Sequence, residues 1–251
     1  MKNESLWKTV STAPELTSGS VHVWKMMLSD CEMAPSREIL SEDEIKRADQ
    51  FHFQVDRERF IHTRSTLRRL LAYYCGVEAG AVQFAYNSHG KPSLCNPDHT
   101  EEICFNVTHS QDMAMFAVSR EYKIGIDVEY TKDTVEYLKL AQRFFSGKEY
   151  LALSCLSGTA LKRGFYRYWT CKEAFVKAIG TGLSFPLADF TVNLEDEETP
   201  YLDWVDKRSF SGKCRMSAIP LEDDYCASLA CLAEPEQILL YHCPREMIEV
   251  Q

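Results

Sequence analysis

Two short stretches of this chain place carboxylates and a lysine at spacings that could do chemistry on a phosphate ester. In Lys123-Ile-Gly-Ile-Asp-Val-Glu-Tyr130, Ile124, Ile126 and Val128 alternate with Gly125, Asp127 and Glu129. That two-residue period is a strand's, so Asp127 and Glu129 leave the same face. In Trp169-Thr-Cys-Lys-Glu-Ala-Phe-Val-Lys177, Glu173 and Lys177 stand one helical turn apart. Three hard oxygen donors of this kind suit Mg²⁺, which keeps open positions for substrate phosphates and water. Each stretch also has a plain alternative. Asp-x-Glu occurs at exposed strand ends, and Glu173 with Lys177 could be a surface i,i+4 ion pair.

The elements that must hold these groups follow from pattern. Val21–Leu28 predicts a first strand. Ser41-Glu-Asp-Glu44 is a capping box that opens a helix carrying Lys46 and Arg47. A longer helix runs from Asp56 to Tyr74, with Phe60, Leu67, Leu70, Leu71 and Tyr74 as its apolar stripe and Gly76 as its stop. Strand-like runs follow at Val82–Tyr86, Ile103–Val107 and Met113–Ser119, with Thr108-His109-Ser110 expected in the loop between the last two. The second half holds the Asp127 strand, a capping box at Ser146-Gly-Lys-Glu149 and a helix over Leu161–Ile179 stopped by Gly180-Thr-Gly182. Strands are expected at Asp189–Leu194, Lys213–Ile219, Tyr225–Leu232 and Gln237–Tyr241, and the acidic run Glu195–Glu198 reads as a solvated loop. One long amphipathic helix ending at glycine in each half hints at an internal duplication. The boundary is expected near 118–123, giving residues 1–120 and 121–251 as two subdomains of an α+β fold.

Composition narrows the classes. The chain has 251 residues, 45% hydrophobic and 12% aromatic, enough to bury a substantial core. A net charge of −9 argues against a nucleic-acid binder, which needs clustered Lys and Arg. Ten scattered cysteines without a C-x-x-C pair or a signal peptide read as reduced thiols. No apolar run is long enough for a membrane span, so a cytoplasmic, soluble protein is expected.

Taken together, Ile124-Gly-Ile-Asp-Val-Glu129 and Trp169-x-x-Lys-Glu-Ala-x-x-Lys177 resemble the two signature motifs of the Sfp-type 4′-phosphopantetheinyl transferases. The resemblance extends in order through Gly90-Lys91-Pro92, Phe105-Asn-Val-Thr-His-Ser110, Phe144-Phe-Ser146 with Glu149, and Gly182-Leu-Ser-Phe-Pro186, covering residues 40 to 195. Several motifs in one order make chance an unsuitable explanation.

The resemblance implies a fold of two similar α+β subdomains related by a pseudo-twofold axis, with the active site in the cleft between them. It implies transfer of the phosphopantetheine arm of coenzyme A to a serine of an acyl, peptidyl or polyketide carrier protein, with release of 3′,5′-ADP. Asp127, Glu129 and Glu173 are then the ligands of Mg²⁺, for which Mn²⁺ could substitute. Glu173 is the proposed general base, and Lys177 contacts the pyrophosphate. His109, Thr108 and Lys91 match residues around the coenzyme A phosphates, and Lys46, Arg47 and Arg59 match more loosely the basic residues near the adenosine 3′-phosphate. The segment between Tyr130 and Ser146 corresponds to a carrier-contacting region, with Phe144 and Phe145 expected in the core and Tyr137 or Leu138 at the surface. A related class of half-length chains assembles as trimers, so a duplicated chain is expected to work as a monomer.

Two rivals remain at this stage. A metal-dependent nuclease or phosphodiesterase would use a similar acidic set, but the acidic net charge and the accessory motifs oppose it. A coenzyme A or carrier-binding module without activity would be expected had a carboxylate been lost, and all three are present.

Overall fold

The structure, a computed structural model, describes residues 6–30, 36–95, 103–204, 210, 212–222 and 224–244. In chain order the elements are β1 (Trp7–Thr9), β2 (Ser20–Met27), α1 (Glu42–Asp49), α2 (Gln54–Cys75), β3 (Phe84–Tyr86), β4 (Pro92–Leu94), β5 (Ile103–Ser110), β6 (Met113–Arg120) and β7 (Ile124–Tyr130). There follow α3 (Tyr137–Phe144), α4 (Gly147–Ser154), α5 (Gly158–Ile179), β8 (Phe190–Asn193), β9 (Tyr201–Trp204), β10 (Arg215–Ile219), β11 (Tyr225–Cys231) and β12 (Gln237–His242). Helices and mostly antiparallel sheets alternate without regular βαβ units, which makes the fold α+β. The contacts divide the chain into two compact units. One comprises residues 1–86, 92–121 and 237–251, the other residues 87–91 and 122–236.

In the first unit a five-stranded sheet runs in the order β1-β12-β2-β6-β5. β2, β6 and β5 pair antiparallel, whereas β12 lies parallel to both β1 and β2. The stripe read from the sequence is the buried face of α2: Leu67, Leu70 and Leu71 are wholly inaccessible and pack with Trp24, Phe116 and Tyr74. Gly76 ends α2 at φ +67°, a left-handed conformation that costs glycine nothing. α1 opens with the expected capping box, its Ser41 backbone N–H donating to the Glu44 carboxylate. Glu44 is itself buried and receives Arg64 and Arg68 from α2 at 2.6 Å each. A buried carboxylate so engaged welds the two helices through charge as well as through Ala48, Phe60 and Ile61.

The C-terminal strand departs from expectation. The pattern at Gln237–Tyr241 places that strand in the second half, yet β12 inserts between β1 and β2 of the first unit's sheet. Its Tyr241 stacks on Trp24 with ring centroids 4.7 Å apart. An alternating apolar strand satisfies any open sheet edge, and its sequence does not say which one. The tail beyond residue 244 lies outside the described residues. β1 and β9 had no expected counterpart, being short and weakly patterned.

In the second unit a three-stranded antiparallel sheet, β10-β11-β7, supports α5. Phe175, Val176 and Ala174 of α5 pack with Met216, Ala230 and Phe190. A second cluster joins Ala141 and Phe145 to Leu153, Phe165 and Tyr166. Phe145 is core as expected, while Phe144, Tyr137 and Leu138 are half-buried against the same cluster rather than free at the surface. The capping box of α4 is present in both directions, Ser146 N–H donating to Glu149 and Glu149 N–H to Ser146 Oγ. No described helix is long and apolar enough to cross a membrane. The cysteines described are free thiols.

Candidate active site

α5 crosses β7 so closely that only glycine fits beneath it. A Cβ on Gly125 would stand 2.1 Å from Ala174 O and 2.4 Å from Ala178 N. The glycine of the Asp-x-Glu strand is thus the seat of the helix. Two residues further along β7, Asp127 is 4% exposed and accepts the Lys177 ammonium at 2.6 Å, while Lys177 also donates to Ile126 O at 3.2 Å. Lys177 thus pairs across the helix–strand joint, not only within its own helix face. Beside it, Thr170 Oγ1 lies 2.9 Å from Ser228 Oγ, and Ser228 is the cross-strand neighbour of Asp127 on β11.

Glu173 is half-buried, and burial first, then the Asp127 charge, push its carboxyl above the ordinary range. Lys177 opposes that rise, and Glu129 adds to it. Glu173 therefore senses both of the other carboxylates expected to act with it. Mutual repulsion among hard oxygen donors is what a divalent cation relieves, and in chemistry the set fits such an ion. As the side chains stand, no group of three His, Cys, Asp or Glu among the described residues is gathered for a metal, and Asp127 is held by Lys177.

Lys172, in the same helical motif, has a role the sequence reading did not give it. Its ammonium is fully buried and donates to Leu187 O and Phe190 O, both at 2.7 Å, with Glu149 at 2.9 Å. Glu149 in turn accepts Val192 N–H and the Ser146 N–H. The Phe-Ser-x-x-Glu and Trp-x-x-Lys-Glu motifs are thus the two ends of one buried ion pair joining α4, α5 and β8. Burial pulls the Lys172 pKa down and Glu149 pushes it back up. The pairing partner of a motif lysine is invisible in sequence because the two residues are 23 positions apart.

Lys91 also belongs to this unit. Its ammonium donates to Ile124 O at 3.2 Å and to Ala178 O at 3.1 Å. The remaining expected residues lie in the other unit. Thr108 and His109 are not in a loop: β5 continues to Ser110, paired with Met113 across a two-residue turn in which Gln111 adopts φ 51°. Polar composition had marked these positions as loop, but the tight turn lets the ladder run through them. Being successive on a strand, they face opposite ways, Thr108 buried and His109 exposed. Lys46 is a solvated helix residue whose nearest acid is Glu42 at 3.9 Å. Arg47 lies over the Phe60 ring, and Arg59 reaches Asp56 at 3.6 Å.

Comparison with known proteins defines the class. Residues 123–230 match the 4′-phosphopantetheinyl transferase superfamily, and residues 23–121 match the family described as 4′-phosphopantetheinyl transferase, N-terminal. The 4′-phosphopantetheinyl transferase HetI of Nostoc sp. is 42% identical over 175 residues, covering 68% of this chain and 74% of the relative. The transferase Sfp of Bacillus subtilis is 28% identical over 197 residues, 78% of this chain and 84% of its own. Among solved structures, a holo-(acyl-carrier-protein) synthase from Bacillus anthracis in complex with CoA (3′,5′-ADP) is 23% identical, with a TM-score of 0.37, over 43% of this chain and 93% of that one. The chain belongs to the Sfp-type 4′-phosphopantetheinyl transferases.

Proposed function

We propose that this chain transfers the 4′-phosphopantetheine arm of coenzyme A to a serine hydroxyl of an acyl, peptidyl or polyketide carrier protein, releasing 3′,5′-ADP. The observation that carries the reading is the joint of β7 and α5, where Lys177 pairs with Asp127 at 2.6 Å and Glu173 lies within electrostatic reach of Asp127, Glu129 and Lys177. In this reading Asp127, Glu129 and Glu173 hold Mg²⁺, or Mn²⁺ in its place. When bound, that ion supplies positive charge beside the departing pyrophosphate oxygen.

Glu173 accepts the proton of the carrier serine, directly or through water. The serine oxygen bonds to the β-phosphorus of coenzyme A as the bond from that phosphorus to the bridging oxygen breaks. The bond's electron pair leaves on 3′,5′-ADP. Lys177, rigidly based on α5, offers its ammonium to the charge that develops there. His109, exposed on β5, contacts a coenzyme A phosphate, and Thr108 supports that strand from within. Lys46, Arg47 and Arg59 supply further positive charge toward the adenosine 3′-phosphate. The enzyme works in the cytoplasm as a monomer, with no nucleic-acid or membrane partner.

The test is intact-mass spectrometry of an apo carrier protein incubated with the enzyme, coenzyme A and Mg²⁺, beside a chelator control. A mass gain of one phosphopantetheine, abolished by the chelator, is expected. No gain across acyl, peptidyl and polyketide carriers, with the enzyme folded, would refute the reading.

A further inference from the structure

We infer that the turn Asn87–Lys91 is a positioning device for the β7–α5 joint, and that Lys91 acts by holding backbone. Built on the transferase reading above, this assignment differs from the phosphate contact that the resemblance implies for Lys91.

The turn is closed by its own first residue. Asn87 Oδ1 accepts the N–H of His89 and of Lys91, both at 2.9 Å, and Asn87 N–H donates to Lys91 O at 3.1 Å. Gly90 completes it at φ +81°, a conformation that excludes most side chains. Two donors project from this frame onto the end of α5. Asn87 Nδ2 donates to Gly180 O at 2.7 Å, and Lys91 Nζ donates to Ala178 O at 3.1 Å.

Helix C-termini leave carbonyls without intrahelical partners, and a cation there also complements the helix dipole. Lys91 does more than cap, because the same ammonium reaches Ile124 O, the first residue of β7. One side chain therefore joins the last turn of the helix bearing Glu173 and Lys177 to the start of the strand bearing Asp127 and Glu129. The joint it spans is a close backbone approach, Gly125 against Ala174 and Ala178. Space for the clamp is equally specific: a Cβ on Gly180 would meet Lys91 Cδ at 3.2 Å and Asn87 Nδ2 at 3.3 Å. Gly90-Lys91-Pro92 and Gly180-Thr-Gly182, separate motifs in the sequence, are two sides of one contact.

The experiment compares Lys91→Met, Lys91→Arg, Asn87→Ala and the Lys91→Met/Asn87→Ala double variant. Hydrogen exchange of the amides in the last turn of α5 reads the clamp without reference to catalysis, and carrier loading with varied coenzyme A reads its effect on the reaction. Lys91→Met and Asn87→Ala are expected to speed exchange in residues 177–180. They should lower kcat, Lys91→Met by about tenfold or more, with KM for coenzyme A changed less than about threefold. Lys91→Arg should restore most of kcat, and the double variant should be no worse than the product of the singles. A rise of about tenfold or more in KM for coenzyme A with unchanged kcat and unchanged exchange, together with a silent Asn87→Ala, would overturn the inference and make Lys91 a phosphate contact. If the wild-type chain loads no carrier, the transferase reading fails, and the exchange data still decide whether the clamp exists.

Discussion

Gly125→Ala puts the geometry of the joint under direct test. The added methyl would start 2.1 Å from Ala174 O, against the 3.4 Å at which ordinary contact begins, so helix and strand must part by about 1.3 Å. The obstacle is backbone on both sides, since Ala178 N and Lys177 C also lie within 3 Å, and no rotamer change relieves it. Overpacking of this kind costs about 1–3 kcal/mol. The separation also moves Lys177 and Glu173 relative to Asp127, and a displacement near 1 Å at a reacting centre costs on the order of 10²-fold in rate. Carrier loading by intact mass should therefore fall by roughly that factor, with a drop of roughly 2–10 °C in Tm. Gly147→Ala is the control, because a Cβ there meets nothing within 4 Å. A Gly125→Ala enzyme that loads carrier within about twofold of wild type would refute the claim that this approach positions the site.

Further outcomes follow from other parts of the molecule. Lys172→Met leaves Glu149 charged and buried, at a cost of about 3–5 kcal/mol, and adding Glu149→Gln should recover part of it in denaturant titrations; equal loss in both variants would contradict the ion-pair account. Mg²⁺ should raise the Tm of the wild-type chain and chelation should reverse the rise, whereas Asp127→Asn should show no response if Asp127 is a ligand. Burial, with Lys8 adding to it, lowers the His22 pKa from 6.5 to about 4. The unfolded chain therefore binds more protons between those values, so stability is lost as pH falls from 6.5 to 4, by about 3 kcal/mol. His22→Gln, which keeps an acceptor for Tyr74, should flatten that slope in chemical denaturation at pH 4–7. An unchanged slope would place the acid sensitivity elsewhere.

Much of this protein was determined by local pattern. The Ser41 and Ser146 capping boxes, the glycine stops at Gly76 and Gly180, the apolar stripe of α2 and the alternation of β7 all act within a few residues, where sequence spacing and geometry coincide. The placement of Asp127 and Glu129 on one strand, and of Glu173 and Lys177 one turn apart on one helix, was legible for the same reason.

What the tertiary structure decided are the pairings between distant segments. Glu149 could have been an ordinary cap, yet it is the counter-ion of Lys172. β12 could have closed the second half's sheet, yet it stands between β1 and β2. Lys177 has an acid one turn away, yet its 2.6 Å ion pair is with Asp127 on another element. Thr108 and His109 carried loop composition, but a two-residue turn drew them into the ladder. In each case several partners satisfied the local rule equally, and the choice fell to the arrangement in which the distant segments buried their apolar surface together. A single chain's spacing does not encode that competition, because it is settled only when the segments meet.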